Sequence, residues 1–63
     1  MTTLEEYKKK LPKQQGYIIY FEAERPGSPL KDHQNNPYLE MTKEHADWEM
    51  GQFLAMLDAQ DSE

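Results

Sequence analysis

Tyr17-Ile18-Ile19-Tyr20-Phe21 is the most strand-like run in this chain, and no second run of comparable β character exists to pair with it. A strand without a partner leaves its backbone N–H and C=O groups unsatisfied, so a single copy cannot build a sheet from this segment. Pro12 to Arg25 therefore reads as a helix, apolar on most sides, that stops at Arg25-Pro26-Gly27-Ser28-Pro29. The fold class expected is all-α: a small helical hairpin with a preceding short N-terminal helix, in one domain over 1–63. The alternative is an α+β arrangement in which residues 17–21 pair with a second copy as a two-stranded ribbon.

The other elements follow from local signals. Thr3 stands three residues before Glu6, the spacing of a reciprocal helix cap, and Leu4, Tyr7 and Leu11 recur at helical spacing. A helix over about residues 3–10 is expected, with Lys8, Lys9 and Lys10 in the last turn, where positive charge suits the helix dipole. Pro12 disfavours helix at Leu11 but is acceptable as the first residue of a new one. Residues 26–38, rich in Pro, Gly, Asn, Asp and Ser, read as a loop. Asn36-Pro37-Tyr38 closes it and aims Tyr38 back at the core. Thr42 is the expected N-cap of the last helix, which should fade after Ala59. Ala46, Met50, Phe53, Leu54 and Leu57 mark one apolar stripe on it, with Glu44, Asp47, Glu49, Gln52 and Asp58 mostly off that stripe. Residues 1–2 and 60–63 are expected to be disordered.

At 63 residues and with no cysteine, the chain has neither disulfides nor thiolate zinc ligands to reinforce a core that supplies only ~3–5 kcal/mol. Helix packing, self-association or a partner must make up the difference. No apolar run approaches the ~18–20 residues of a membrane span, and Met1 to Lys10 is too charged for a signal peptide. A soluble, cytoplasmic protein is expected. Charge is divided along the chain: residues 1–31 carry six Lys/Arg against four Glu, whereas 32–63 carry one Lys against eight Asp/Glu. The two halves either attract each other, within the fold or across a dimer, or leave the acidic half to meet a basic partner.

Nothing points to a catalytic centre, a metal or a cofactor. His45 and Glu49 lie one helical turn apart and could face the same ion, but two ligands are too few, and neither His33 nor Asp47 supplies a recognisable third. Ser28 and Ser62 lack a nearby base, and the three glycines form no phosphate-cradling loop. Aromatic side chains are the stronger signal. Tyr and Trp bury large area at low entropy cost, and Phe21, Tyr38, Trp48 and Phe53 are expected mainly in the core. Tyr17, Tyr20 and Trp48 are the aromatic candidates for partner binding, joined by Glu44, Asp47 and Glu49 as the acidic ones.

The order of Gly16-Tyr17, Pro37-Tyr38, Trp48-Glu49-Met50-Gly51 and Ala55 resembles the ribosome modulation factor family, over roughly residues 15–59. That resemblance implies a two-helix scaffold on the small ribosomal subunit that promotes ribosome dimerisation during dormancy. The family is strongly basic, as RNA contact requires, whereas this chain has net charge −5. Ile18, Ile19, Tyr20 and Glu22 replace the family's glycines and arginines, and Gln52 replaces a tryptophan. The scaffold carries over, with Gly16, Pro37, Tyr38, Thr42 and Gly51 as its structural residues. The function expected is a non-enzymatic protein that binds and modulates, as an inhibitor, a larger protein with a basic patch, a role that suits phage or mobile-element products. The alternatives are a ribosome-associated dormancy factor, a homodimer, and an acidic nucleic-acid mimic in which Asp32, Glu40, Glu44, Asp47, Glu49 and Asp58 stand in for phosphates.

Overall fold

The computed structural model describes residues 2–61. Its elements are α1 (Leu4–Lys9), α2 (Pro12–Glu22), one 3-10 turn at Lys31–His33 and α3 (Lys43–Asp61). No strand occurs among the described residues, and the run 17–21 lies inside α2. The fold is all-α, with α2 and α3 making the dominant contact and α1 packed on α2.

Local chemistry places each helix start. Thr3 Oγ1 accepts the Glu6 N–H at 3.2 Å while the Glu6 carboxylate accepts the Thr3 N–H at 3.4 Å, closing the cap at both ends. Six residues are too few to hold a helix in water, so α1 depends on tertiary contacts. It gains them through the buried Tyr7 and through Thr2, whose backbone N–H and hydroxyl donate to Glu22 at 2.6 and 2.8 Å. Those bonds hold the Glu22 carboxyl below its ordinary range. Leu11 is extended, as a residue before proline must be, and Pro12 opens α2 where its missing N–H costs nothing. At α3, Thr42 Oγ1 accepts the His45 N–H at 3.2 Å, the N-cap bond expected of it.

The hairpin closes on two glycines. A Cβ on Gly16 would overlap the Trp48 carbonyl oxygen and stand 3.2 Å from the Gln52 backbone nitrogen. Conversely, a Cβ on Gly51 would overlap the Lys13 carbonyl oxygen and stand 2.9 Å from the Tyr17 nitrogen. Each helix therefore puts its backbone against the other's, at a separation that no other residue type permits. Ala55 continues this seam one turn on and is wholly buried, while the Gln52 amide donates to the Gly16 carbonyl across it.

A small core sits beside the seam. Tyr7 from α1, Ile19 and Ala23 from the end of α2, Leu30 from the connection and Trp48 from α3 form one cluster, with Leu4, Ile18 and Tyr38 packed against it. Leu30, in the polar stretch, is its most enclosed large side chain; the Ser28 hydroxyl fixes its approach by accepting the Leu30 N–H at 3.2 Å. Gln15 ties three segments together. Its amide donates to the Tyr7 carbonyl at 3.0 Å and accepts the Tyr38 hydroxyl at 2.6 Å. Tyr38 thus points inward as expected. Asn36 turns the chain behind it by accepting the Tyr38 N–H and donating to the His45 carbonyl, both at 3.0 Å.

Several expectations need correction. Phe21 and Phe53, expected in the core, are exposed, because backbone contact at the glycines leaves no room between the helices for large rings. The second helix ends at Glu22, three residues before Arg25, once Ala23 has entered the core. The third continues past Ala59 to Asp61. Of the ends expected to be disordered, Thr2 is hydrogen-bonded and Gln60 and Asp61 are helical, while Met1, Ser62 and Glu63 lie outside the described residues.

Burial raises the Tyr7 phenol above its ordinary 10.0, against a smaller lowering by its bond from Trp48 Nε1 at 3.4 Å. A phenol harder to ionise in the folded than in the unfolded chain contributes stability below pH 10.0 that is lost as pH rises above it. Urea midpoints should therefore be level from pH 7 to 9 and fall above 10, and Tyr7→Phe should flatten the fall. An unchanged slope in that variant would assign the alkaline loss to other groups.

Candidate interaction surface

Helix α3 buries the face opposite its apolar stripe. The side chains it turns inward are Trp48, Gly51 and Ala55, spaced i, i+3, i+7. Ala46, Met50, Phe53 and Leu57 follow i, i+4, i+7, i+11, and at ~100° per residue their stripe lies about half a turn away around the axis. They face solvent: Met50 is 48% exposed, Phe53 50% and Leu57 38%, and Ala46 is exposed as well. Only Leu54, at the edge of this stripe, is half-buried. The stripe that makes this helix amphipathic in the sequence therefore points away from the protein. Those exposures show that none of the other described elements covers it.

Acids border the stripe. Asp47 and Asp58 lie on one side and Glu49 on the other, and no Lys or Arg occurs between Glu44 and Asp61. At its N-terminal end the chain adds two exposed apolar side chains, Leu39 and Met41. Met41 has φ of 71°, the left-handed region, which costs a residue with a Cβ roughly 1–2 kcal/mol. Its side chain is fully exposed, so no packing within the molecule offsets that cost.

The sequence candidates are distributed unequally. Tyr17 and Tyr20 both flank α3 on α2. The half-buried Tyr17 donates its hydroxyl to the Asp58 carboxylate, and that bond raises the phenol above its ordinary value. Tyr17 and Tyr20 each meet Phe21, with ring centroids 5.2 and 5.3 Å apart, giving an aromatic cluster along α2. Glu44 and Glu49 are exposed and Asp47 is half-buried. Trp48 lies in the core as expected, at 3% exposure with its indole N–H turned to Tyr7, so of its two expected places the partner-binding one is corrected. Trp48 stands beside the glycine seam, where Tyr7, Ile19, Ala23 and Leu30 cluster with it.

The histidines do structural work. His45 sets its Nδ1 3.1 Å from the Tyr38 carbonyl, which can only accept, so Nδ1 carries the proton; its Nε2 lies 3.7 Å from Glu49. His33 meets the Tyr7 ring edge-on at 6.0 Å. Among the described residues no three His, Asp or Glu side chains are grouped to hold a metal ion. A cleft between the start of α1 and the end of α2 is lined by Thr2, Glu6, Phe21, Glu22 and Arg25. No described helix is long and apolar enough to cross a membrane.

Sequence reading missed Gln15, Leu30 and the outward direction of the α3 stripe. A signal for the last was present: Trp48, Gly51 and Ala55 also keep helical spacing, and glycine and alanine at that spacing mark a close helix crossing. Compared with protein-family models, curated proteins and solved structures, the chain has no match.

Proposed function

We propose that this protein is a non-enzymatic binding protein that modulates a larger protein or assembly. The observation that carries this reading is the outward apolar stripe of α3. Met50, Phe53 and Leu57 are more exposed than any large apolar side chain of the core, while the same helix turns Trp48, Gly51 and Ala55 inward. A chain so poor in core would gain more from enclosing those side chains than from displaying them, unless a partner encloses them. The acidic border selects a partner with a basic patch and speeds encounter with it. Affinity capture from bacterial lysate at physiological salt should enrich one protein or assembly over a tag-only control. Recovery of no specific protein would overturn the reading.

Ribosome association is the second reading, supported by one observation: Gly16 and Trp48-x-x-Gly51, residues of the family resemblance, meet at the helix crossing. Co-sedimentation with ribosomes tests it, and the acidic α3 weighs against it, since a surface that neutralises phosphates needs cations.

A further inference from the structure

We infer that the α3 stripe is a docking site for an amphipathic helix of another protein whose apolar face is bordered by lysine and arginine. This rests on the reading above and specifies its site and partner chemistry. Ala46 to Leu57 spans about 17 Å at 1.5 Å per residue, some three turns, the length over which a docked helix places anchors at i, i+3 or i+4, and i+7. Phe53 and Met50 sit at the middle of that span, where an aromatic ring and a flexible thioether form the buried centre of such contacts. Their exposures of 50% and 48% leave them accessible without dismantling the hairpin.

Charge decides between occupants. A second copy laid stripe to stripe would bring Asp47 and Glu49 against their own counterparts, with no Lys or Arg between Glu44 and Asp61 on either helix. Like charges across an interface are rejected, whereas lysines or arginines beside an apolar face match these acids on both sides. The chain's own basic segment does not substitute for such a partner. Helix α1, with Lys8 and Lys9, is six residues long, about 9 Å, half the length of the stripe.

The test uses the full chain and two synthetic helical peptides of about 18 residues, long enough to span the stripe with a turn to spare. Both carry leucines on one face; one has lysines beside them and its twin has glutamates. By calorimetry the lysine peptide should bind at least about tenfold tighter than its twin, and lose about tenfold or more with Phe53→Glu. Its binding should also weaken as salt rises. Phe53 lies outside the core, so circular dichroism of that variant should match wild type. Failure of the lysine peptide to bind, equal binding of both peptides, or binding unaffected by Phe53→Glu would overturn the proposal. So would a wild-type dimer in sedimentation that Phe53→Glu dissolves, since that makes a second copy the occupant. Lysate capture separates the two claims. A specific partner that Phe53→Glu still captures overturns the stripe and leaves the binding role standing. With no partner captured by wild type but the peptide result as expected, the docking chemistry is supported and the modulatory role falls.

Discussion

Gly51→Ala is expected to remove most of this protein's stability, although alanine is the better helix former by ~1 kcal/mol. The added methyl would overlap the Lys13 carbonyl oxygen, with the Tyr17 backbone nitrogen 2.9 Å away, and both are main-chain atoms that no rotamer change can move. The helices would have to separate along the seam, loosening Trp48 and Ala55 together. Overpacking of this kind costs about 1–3 kcal/mol or more, and with no side chain able to yield we expect a net loss of about 2–3 kcal/mol after the propensity gain. Against the ~3–5 kcal/mol that so small a core supplies, the urea midpoint should fall by half or more. Gly16→Ala, which meets the Trp48 carbonyl, should behave alike, and the double variant should lose less than the sum because one separation relieves both overlaps. A Gly51→Ala melting curve lying on or above that of wild type would show that the two backbones are not in contact.

Gln15→Ala should be the next most damaging change, at about 2–3 kcal/mol. It leaves a space among Tyr7, Tyr38 and α2 and removes two hydrogen bonds that join α1 and the connection to the hairpin. The Tyr7 carbonyl keeps the Lys10 N–H at 3.1 Å, so the Tyr38 hydroxyl is the group left seeking a partner. Gln15→Leu separates the two contributions, because leucine restores volume but no bond; we expect a loss of about 1–2 kcal/mol, smaller still when Tyr38→Phe removes the orphaned hydroxyl. Equal midpoints for wild type and Gln15→Leu would mean that the amide only fills space.

Local features were legible because their chemistry is local. The Thr3–Glu6 cap, Pro12 at the head of α2, the Thr42 cap and the turn at Asn36 each depend on residues within a few positions of one another. The helical state of residues 17–21 was legible for a different reason, the lack of any strand to pair with. Gly51 was also readable as a point of close approach. What could not be read was the partner of each contact. Leu30 sits in a polar stretch, and only the path of the connection over α1 and α2 makes it core. Gln15 lies 23 residues from Tyr38, and sequence does not pair groups across such a distance.

The candidate surface shows the same division. Tyr17, Tyr20 and the acids of α3 were available from composition and spacing, but whether a given aromatic ring faces inward was not. Trp48 and Phe53 are five positions apart on one helix, yet the first is core and the second is surface. The sequence by itself determined the helices, their caps, their order, and the presence on α3 of an apolar stripe edged by acids, all consequences of periodicity, local hydrogen bonding and charge. Which of the two helically spaced sets on α3 faces inward was settled by the tertiary contact. At the α2 and α3 crossing, glycine and alanine let two backbones meet in close contact, which leaves Trp48 to the core cluster beside the seam and puts Met50, Phe53 and Leu57 on the opposite, outward side of the helix.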